Sequence, residues 1–126
     1  MKVHVGEFGV ASDIVEVIDL LELDEIHHGI AAVNSKKCMN FIRENRIILN
    51  ICPMSNIMLQ RVKNYSSHPT RKLYDARINV TINTDDLTIF NAIISDEYIN
   101  LYRNDVFSID ELNQIRIGGL CSYNKY

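Results

Sequence analysis

The chain has 126 residues, 47% of them hydrophobic, and a formal charge of −3. That is one domain's worth of sequence, and its mixed charges leave no basic footprint for bulk nucleic-acid binding. No run nears the roughly 18 apolar residues of a membrane span, and the first residues, Met-Lys-Val-His-Val-Gly-Glu, lack the apolar core of a signal peptide. The chain therefore reads as a soluble, cytoplasmic protein.

In chain order, Lys2 to Val5 is a short strand that stops at Gly6. Ser12-Asp13 is placed to cap a helix in which Ile14, Val15, Ile18 and Leu21 recur at helical spacing. A second short strand, residues 25–30, is interrupted by His27 and His28. A helix from about Ser35 turns Cys38, Met39, Phe41 and Ile42 inward and stops at Asn45. Residues 47–52 form the most continuous apolar strand, as suits a strand buried on both faces, and Pro53 ends it. From Asn56 to Ser67 the pattern is weak, with a helical turn around Ile57 to Arg61.

His68-Pro69 opens a helix through Arg77, proline suiting the first helical position. β-Branched residues mark a fourth strand at 78–82. Thr88 to Arg103 reads as one helix, and Ser108-x-x-Glu111 is a capping box for the last. The sum is an α/β chain of four parallel β/α units in a single domain, 1–126. Cys38, Cys52 and Cys121 are odd in number and form no Cys-x-x-Cys pair, so they read as packing residues, not as disulfides or a thiolate zinc site.

The unusual polar residues lie at strand ends: His4-Val5-Gly6-Glu7, Ile26-His27-His28-Gly29 and Asn83-Thr84-Asp85-Asp86. Right-handed β/α crossovers send all such ends to one face, so histidines and carboxylates far apart in sequence converge there. Taken singly, each motif is weak, and an Asp-Asp pair is normally a turn or a helix cap. The His-x-Glu and Pro-Cys-x-x-Cys of cytidine-type zinc deaminases are absent from the sequence.

Together, with Cys52-Pro53-Met54-Ser55-Asn56, His68-Pro69, Glu97-Tyr98 and a closing Ser122-Tyr123, these motifs resemble the adenosine deaminase family of zinc-dependent amidohydrolases over nearly the whole chain. The resemblance implies the C-terminal half of a TIM (β/α)8 barrel, without the family's His-x-His on the barrel's first strand. It implies His4 and Asp85 as zinc ligands in a Zn2+ site left incomplete by this chain. Glu7 would be the acid that protonates the purine ring as water attacks the amino-bearing carbon, which needs a raised pKa. His28, in register with Gly29, would orient the metal-bound water and take its proton. Asp86 would contact the purine five-membered ring, and Ser55-Asn56 would stand near the site. Leu87 departs from the family's usual proline, and Val5 from its alanine.

The implied reaction is hydrolytic deamination of adenosine to inosine and ammonia. Adenine deaminase is the nearest enzyme alternative, with Thr84 a slight lean to the nucleoside. An inactive truncated product and a non-enzymatic binding or oligomerisation module are the other readings. The implied partners are a purine nucleoside and either an N-terminal half-barrel chain or a second copy, because half a barrel leaves two strand edges open.

Overall fold

The computed structural model describes residues 3–91 and 93–123. Lys2, assigned above to the first strand, and Ala92, assigned to a helix, lie outside the described residues, as do the side chains of Ser122 and Tyr123. Four parallel strands alternate with helices: β1 (His4–Val5), β2 (Glu25–His28), β3 (Ile48–Ile51) and β4 (Asn79–Ile82), in the order β1-β2-β3-β4. Every strand falls where the apolar runs put it, trimmed at its ends. The register pairs His4 with His27, Val5 with His28, and His27 with Asn50.

The chain folds as two compact units, Met1–Ile51 with Pro69–Val80, and Cys52–His68 with Thr81–Tyr126. In the first, α1 (Ala11–Leu21) and α2 (Lys36–Glu44) pack on each other and on a 3-10 turn, Ile30–Asn34. Its core is Ile14, Ile18, Ile26, Ala32, Cys38, Ile42, Leu49 and Ile51, joined by Leu73 of α4 (Thr70–Asp75). The face of α1 is narrower than its spacing suggests: Ile14 and Ile18 are buried, whereas Leu21 is 40% exposed. Helix α1 starts one residue before Ser12-Asp13, and Asp13 reaches back to accept the Val10 N–H at 3.0 Å. Ser35 Oγ caps α2 by accepting the Cys38 N–H at 3.2 Å, and Asn45 ends it.

The second unit holds α3 (Pro53–Met58), a 3-10 turn at Tyr65–Ser67, α5 (Leu87–Phe90), α6 (Ile94–Arg103) and α7 (Ile109–Tyr123), with Val62, Leu101, Val106, Phe107, Leu112 and Ile115 buried. The Ser108/Glu111 capping box forms reciprocally, at 2.9 and 3.2 Å.

Several expectations need correction, among them the helix expected from Pro69 through Arg77, which is α4, Thr70–Asp75, with Pro69 as its N-cap. The helical turn sought at Ile57 to Arg61 is α3, which begins at Pro53, because proline there loses no hydrogen bond at the first helical position. The stretch 88–103 is two helices: Asn91 has φ 45°, Ile93 is extended, and Asp96 accepts the Ile93 N–H at 3.0 Å to start α6. The second strand ends at His28, because His28 and Gly29 are both left-handed, with φ of 65° and 67°, and turn the chain out of the sheet. Cys38 and Cys52 are buried as expected of packing residues, but Cys121 is exposed.

Candidate active site

The first unit gathers its polar strand ends through two glycines. Gly6 follows β1 with φ 72°, and a Cβ there would sit 2.5 Å from Ile14 Cδ1 and 3.1 Å from Gly29 Cα. Gly29, equally left-handed, leaves a Cβ no room against Leu49. The two turns thus meet backbone to backbone, tied by the Gly29 N–H to the Val5 carbonyl (2.9 Å) and the Ala31 N–H to the Gly6 carbonyl (2.9 Å). Only residues without a side chain permit that approach.

The consequence is a cluster of three imidazoles and a carboxylate. The His4 ring stacks on His27 at 4.7 Å between centroids and meets His28 edge-on at 5.1 Å. His28 is fully buried, and its Nδ1 lies 3.5 Å from Glu7 Oε1, the Glu7 side chain being 10% exposed. At that distance the two groups form an ion pair when His28 is protonated, and both are kinds of side chain that general acid–base catalysis uses. A neighbouring pair escaped the sequence reading: Asn50 in the apolar strand β3 donates to Glu25 Oε2 at 3.0 Å. The lone asparagine in that run was the available signal.

In the second unit, Asp85 follows β4 and its Oδ2 accepts the buried Ser55 hydroxyl at 2.9 Å. Asp86 is exposed, and its Oδ1 accepts the Thr88 and Ile89 N–H groups at 2.8 and 3.3 Å, capping α5. The Asp-Asp pair therefore does include a helix cap, with Leu87 at the first helical position. Asn56 Oδ1 and His68 Nε2 are 3.2 Å apart and buried; burial pulls the His68 pKa down to about 4. Glu97 is buried and accepts from the Met54 N–H and the Tyr65 hydroxyl, and desolvation, only partly offset by these bonds, pushes its pKa up to about 7. Its motif was legible, its role was not.

Catalytic zinc takes three protein ligands. Among the described residues, no three His, Cys, Asp or Glu side chains gather to hold a metal ion. By themselves, the described donors of this chain do not make a complete zinc site.

Parallel β/α units with histidines and carboxylates at the strand ends define a β/α-barrel amidohydrolase class. The chain belongs to the adenosine deaminase family, whose model matches residues 1–123. It is 40% identical over 120 residues to the adenosine deaminase of Clostridium acetobutylicum, covering 95% of this chain and 36% of that protein. Among solved structures it is similar to the adenine deaminase of Arthrobacter aurescens, with a TM-score of 0.88, 29% identity, and coverage of 93% of this chain and 36% of the other. An amidohydrolase of Burkholderia ambifaria with bound Zn superposes with a TM-score of 0.83 at 25% identity, over 94% of this chain and 34% of its own. The chain spans about a third of the length of the curated relatives it matches.

Proposed function

We propose that this chain supplies the acid–base part of a purine deaminase, hydrolysing the 6-amino group of adenosine to give inosine and ammonia, and that it acts with the remainder of a barrel. The observation that carries this reading is the Glu7–His28 pair, 3.5 Å apart and largely withdrawn from solvent. In this scheme Glu7 donates a proton to the purine ring as water attacks the amino-bearing carbon, which cancels the negative charge developing there. His28, its buried ring 3.5 Å from the Glu7 carboxyl, accepts the proton of that water and passes it to the amine; the C–N bond breaks, ammonia leaves, and the new hydroxyl returns a proton to Glu7 as the carbonyl forms. Asp86 faces the five-membered ring, an exchange of its helix-capping bonds for substrate.

His4 and Asp85 are the residues we assign to the family's zinc, the ion seen in the Burkholderia ambifaria relative; the missing donors belong to the rest of the barrel. That remainder is an N-terminal half-barrel or, less completely, a second copy, which would close the strand edges without adding new ligand types. Adenine in place of adenosine is the second reading, favoured by the similarity to the Arthrobacter aurescens adenine deaminase.

The test is ammonia release from adenosine and from adenine by the purified chain, alone and mixed with the N-terminal half of a family member, with Glu7→Gln and His28→Ala as controls. Turnover only in the mixture, abolished by either change, supports the proposal. A verified complex with no turnover favours an inactive product or a binding module.

A further inference from the structure

We infer that Glu97 is a positioning residue for Asp85, acting through the first turn of α3; this rests on the reading of Asp85 as a site residue. The chain of contacts lies within one unit. Both Glu97 oxygens accept the Met54 N–H, at 3.0 and 3.2 Å, and Oε2 also accepts the Tyr65 hydroxyl at 3.1 Å. Asn100, one turn along α6, donates to the Tyr65 oxygen at 3.4 Å. The next residue of α3, Ser55, donates to Asp85, and the one after it, Asn56, meets His68. Residues 54, 55 and 56 are thus each tied to a group distant in sequence.

A six-residue helix does not hold its place alone, since nucleation outweighs so few hydrogen bonds. The bonds of Glu97 fix where the turn begins, and so where the Ser55 hydroxyl points. Once ionised, above about pH 7, a carboxylate suits this junction because it only accepts, and both partners, an N–H and an O–H, donate; an amide would turn its NH2 toward one of them. Packing alone does not explain the residue, because a glutamate 1% exposed is costly to bury where an apolar side chain would fill the space.

The test is a double-mutant cycle on the full chain, by denaturant unfolding, with Glu97→Gln, Ser55→Ala and both. If Glu97 aims Ser55, the effect of Ser55→Ala on unfolding falls to half or less in the Glu97→Gln background, whereas Ser35→Ala, in the other unit, keeps its full effect. Contacting residues couple and independent ones add. In the same variant the 15N resonance of His68 Nε2 shifts while that of His28 stays. Additive effects with an unmoved His68 resonance would overturn the inference. Where Glu97→Gln does not fold, Tyr65→Phe removes one donor from the same carboxylate, and the same weakening of Ser55→Ala is expected. In a verified active complex, Asp85→Asn that leaves turnover intact would defeat the reading of Asp85 without touching the measured Glu97–Ser55 coupling.

Discussion

Glu7 Oε1 and His28 Nδ1 are 3.5 Å apart because Val5 pairs with His28 across β1 and β2, and because His28 takes a left-handed backbone at the strand end. A residue with a Cβ in that region costs about 1–2 kcal/mol. Such strain persists where surrounding structure over-determines it, and it concentrates at functional sites. Here the Gly29 N–H to the Val5 carbonyl closes the turn behind His28.

In the reconstituted deaminase, Glu7→Gln and His28→Ala should each lower kcat by roughly 10²–10⁴-fold, the usual share of a general acid or base. The double variant should lose far less than the product of the two, since the groups act as a unit. Steady-state ammonia release checks both, and additive losses would show that the pair does not work together.

Gly6→Ala should destabilise the chain by at least about 2 kcal/mol, from a left-handed Ala and an overpacked core. The new methyl would meet Ile14 Cδ1 at 2.5 Å. Adding Ile14→Val, which removes that atom, should recover part of the loss in a urea titration; no recovery would mean that the backbone strain dominates.

The pH dependence of stability should hide two opposed slopes. Glu97, raised from 4.5 to about 7, makes the native state hold a proton that the unfolded chain has released, so its contribution is full below pH 4.5 and is lost as pH rises to 7. His68, lowered from 6.5 to about 4, contributes fully above pH 6.5 and loses that contribution as pH falls to 4. Each amounts to about 3 kcal/mol at 1.36 kcal/mol per unit, and between about pH 4.5 and 6.5 they nearly cancel. Glu97→Gln should therefore leave stability rising with pH across this window, and His68→Asn should leave it falling, as read by unfolding midpoints in buffered urea. Parallel profiles for the two variants would refute the assignment.

Ser35→Ala and Ser108→Ala each remove a helix cap seen at 3.2 Å and should cost about 1 kcal/mol. Ser108→Ala also breaks the return bond's partner geometry with Glu111, so Glu111→Gln, which can still accept, should cost less than the serine change.

Local signals carried much of the fold into view. Four strands, the start of α2 near Ser35, the Ser108 cap and the Asn45 stop are written in residues within a few positions of where they act. What escaped notice depended on distant partners. Pro53 marks the start of helix α3 locally, but the Glu97 carboxyl that accepts the Met54 N–H lies 43 positions away, and no window of sequence shows that contact. The break between α5 and α6 hangs on Ile93 and Asp96, a start signal set inside a continuous run of helix-forming residues. At the candidate site, the histidines and carboxylates were legible as motifs, but the closeness of Glu7 to His28 follows from strand register and from two left-handed residues. Asp86 shows both sides: the Asp-Asp pair stands out in the sequence for its chemistry, and the ordinary capping geometry is also present.

The 43-position separation of Met54 and Glu97 also sets an order of events during synthesis. At roughly 5–20 residues per second, the segment that becomes α3 leaves the ribosome several seconds before the glutamate that anchors it. The β1–β2 turn, whose partners lie within about 25 residues, closes much earlier. The residues of the Glu7–His28 corner thus emerge first; Asn56 meets His68 and Ser55 meets Asp85 before the Glu97 anchor of Met54 arrives with α6, so the turn that carries them is the last of these parts to be fixed.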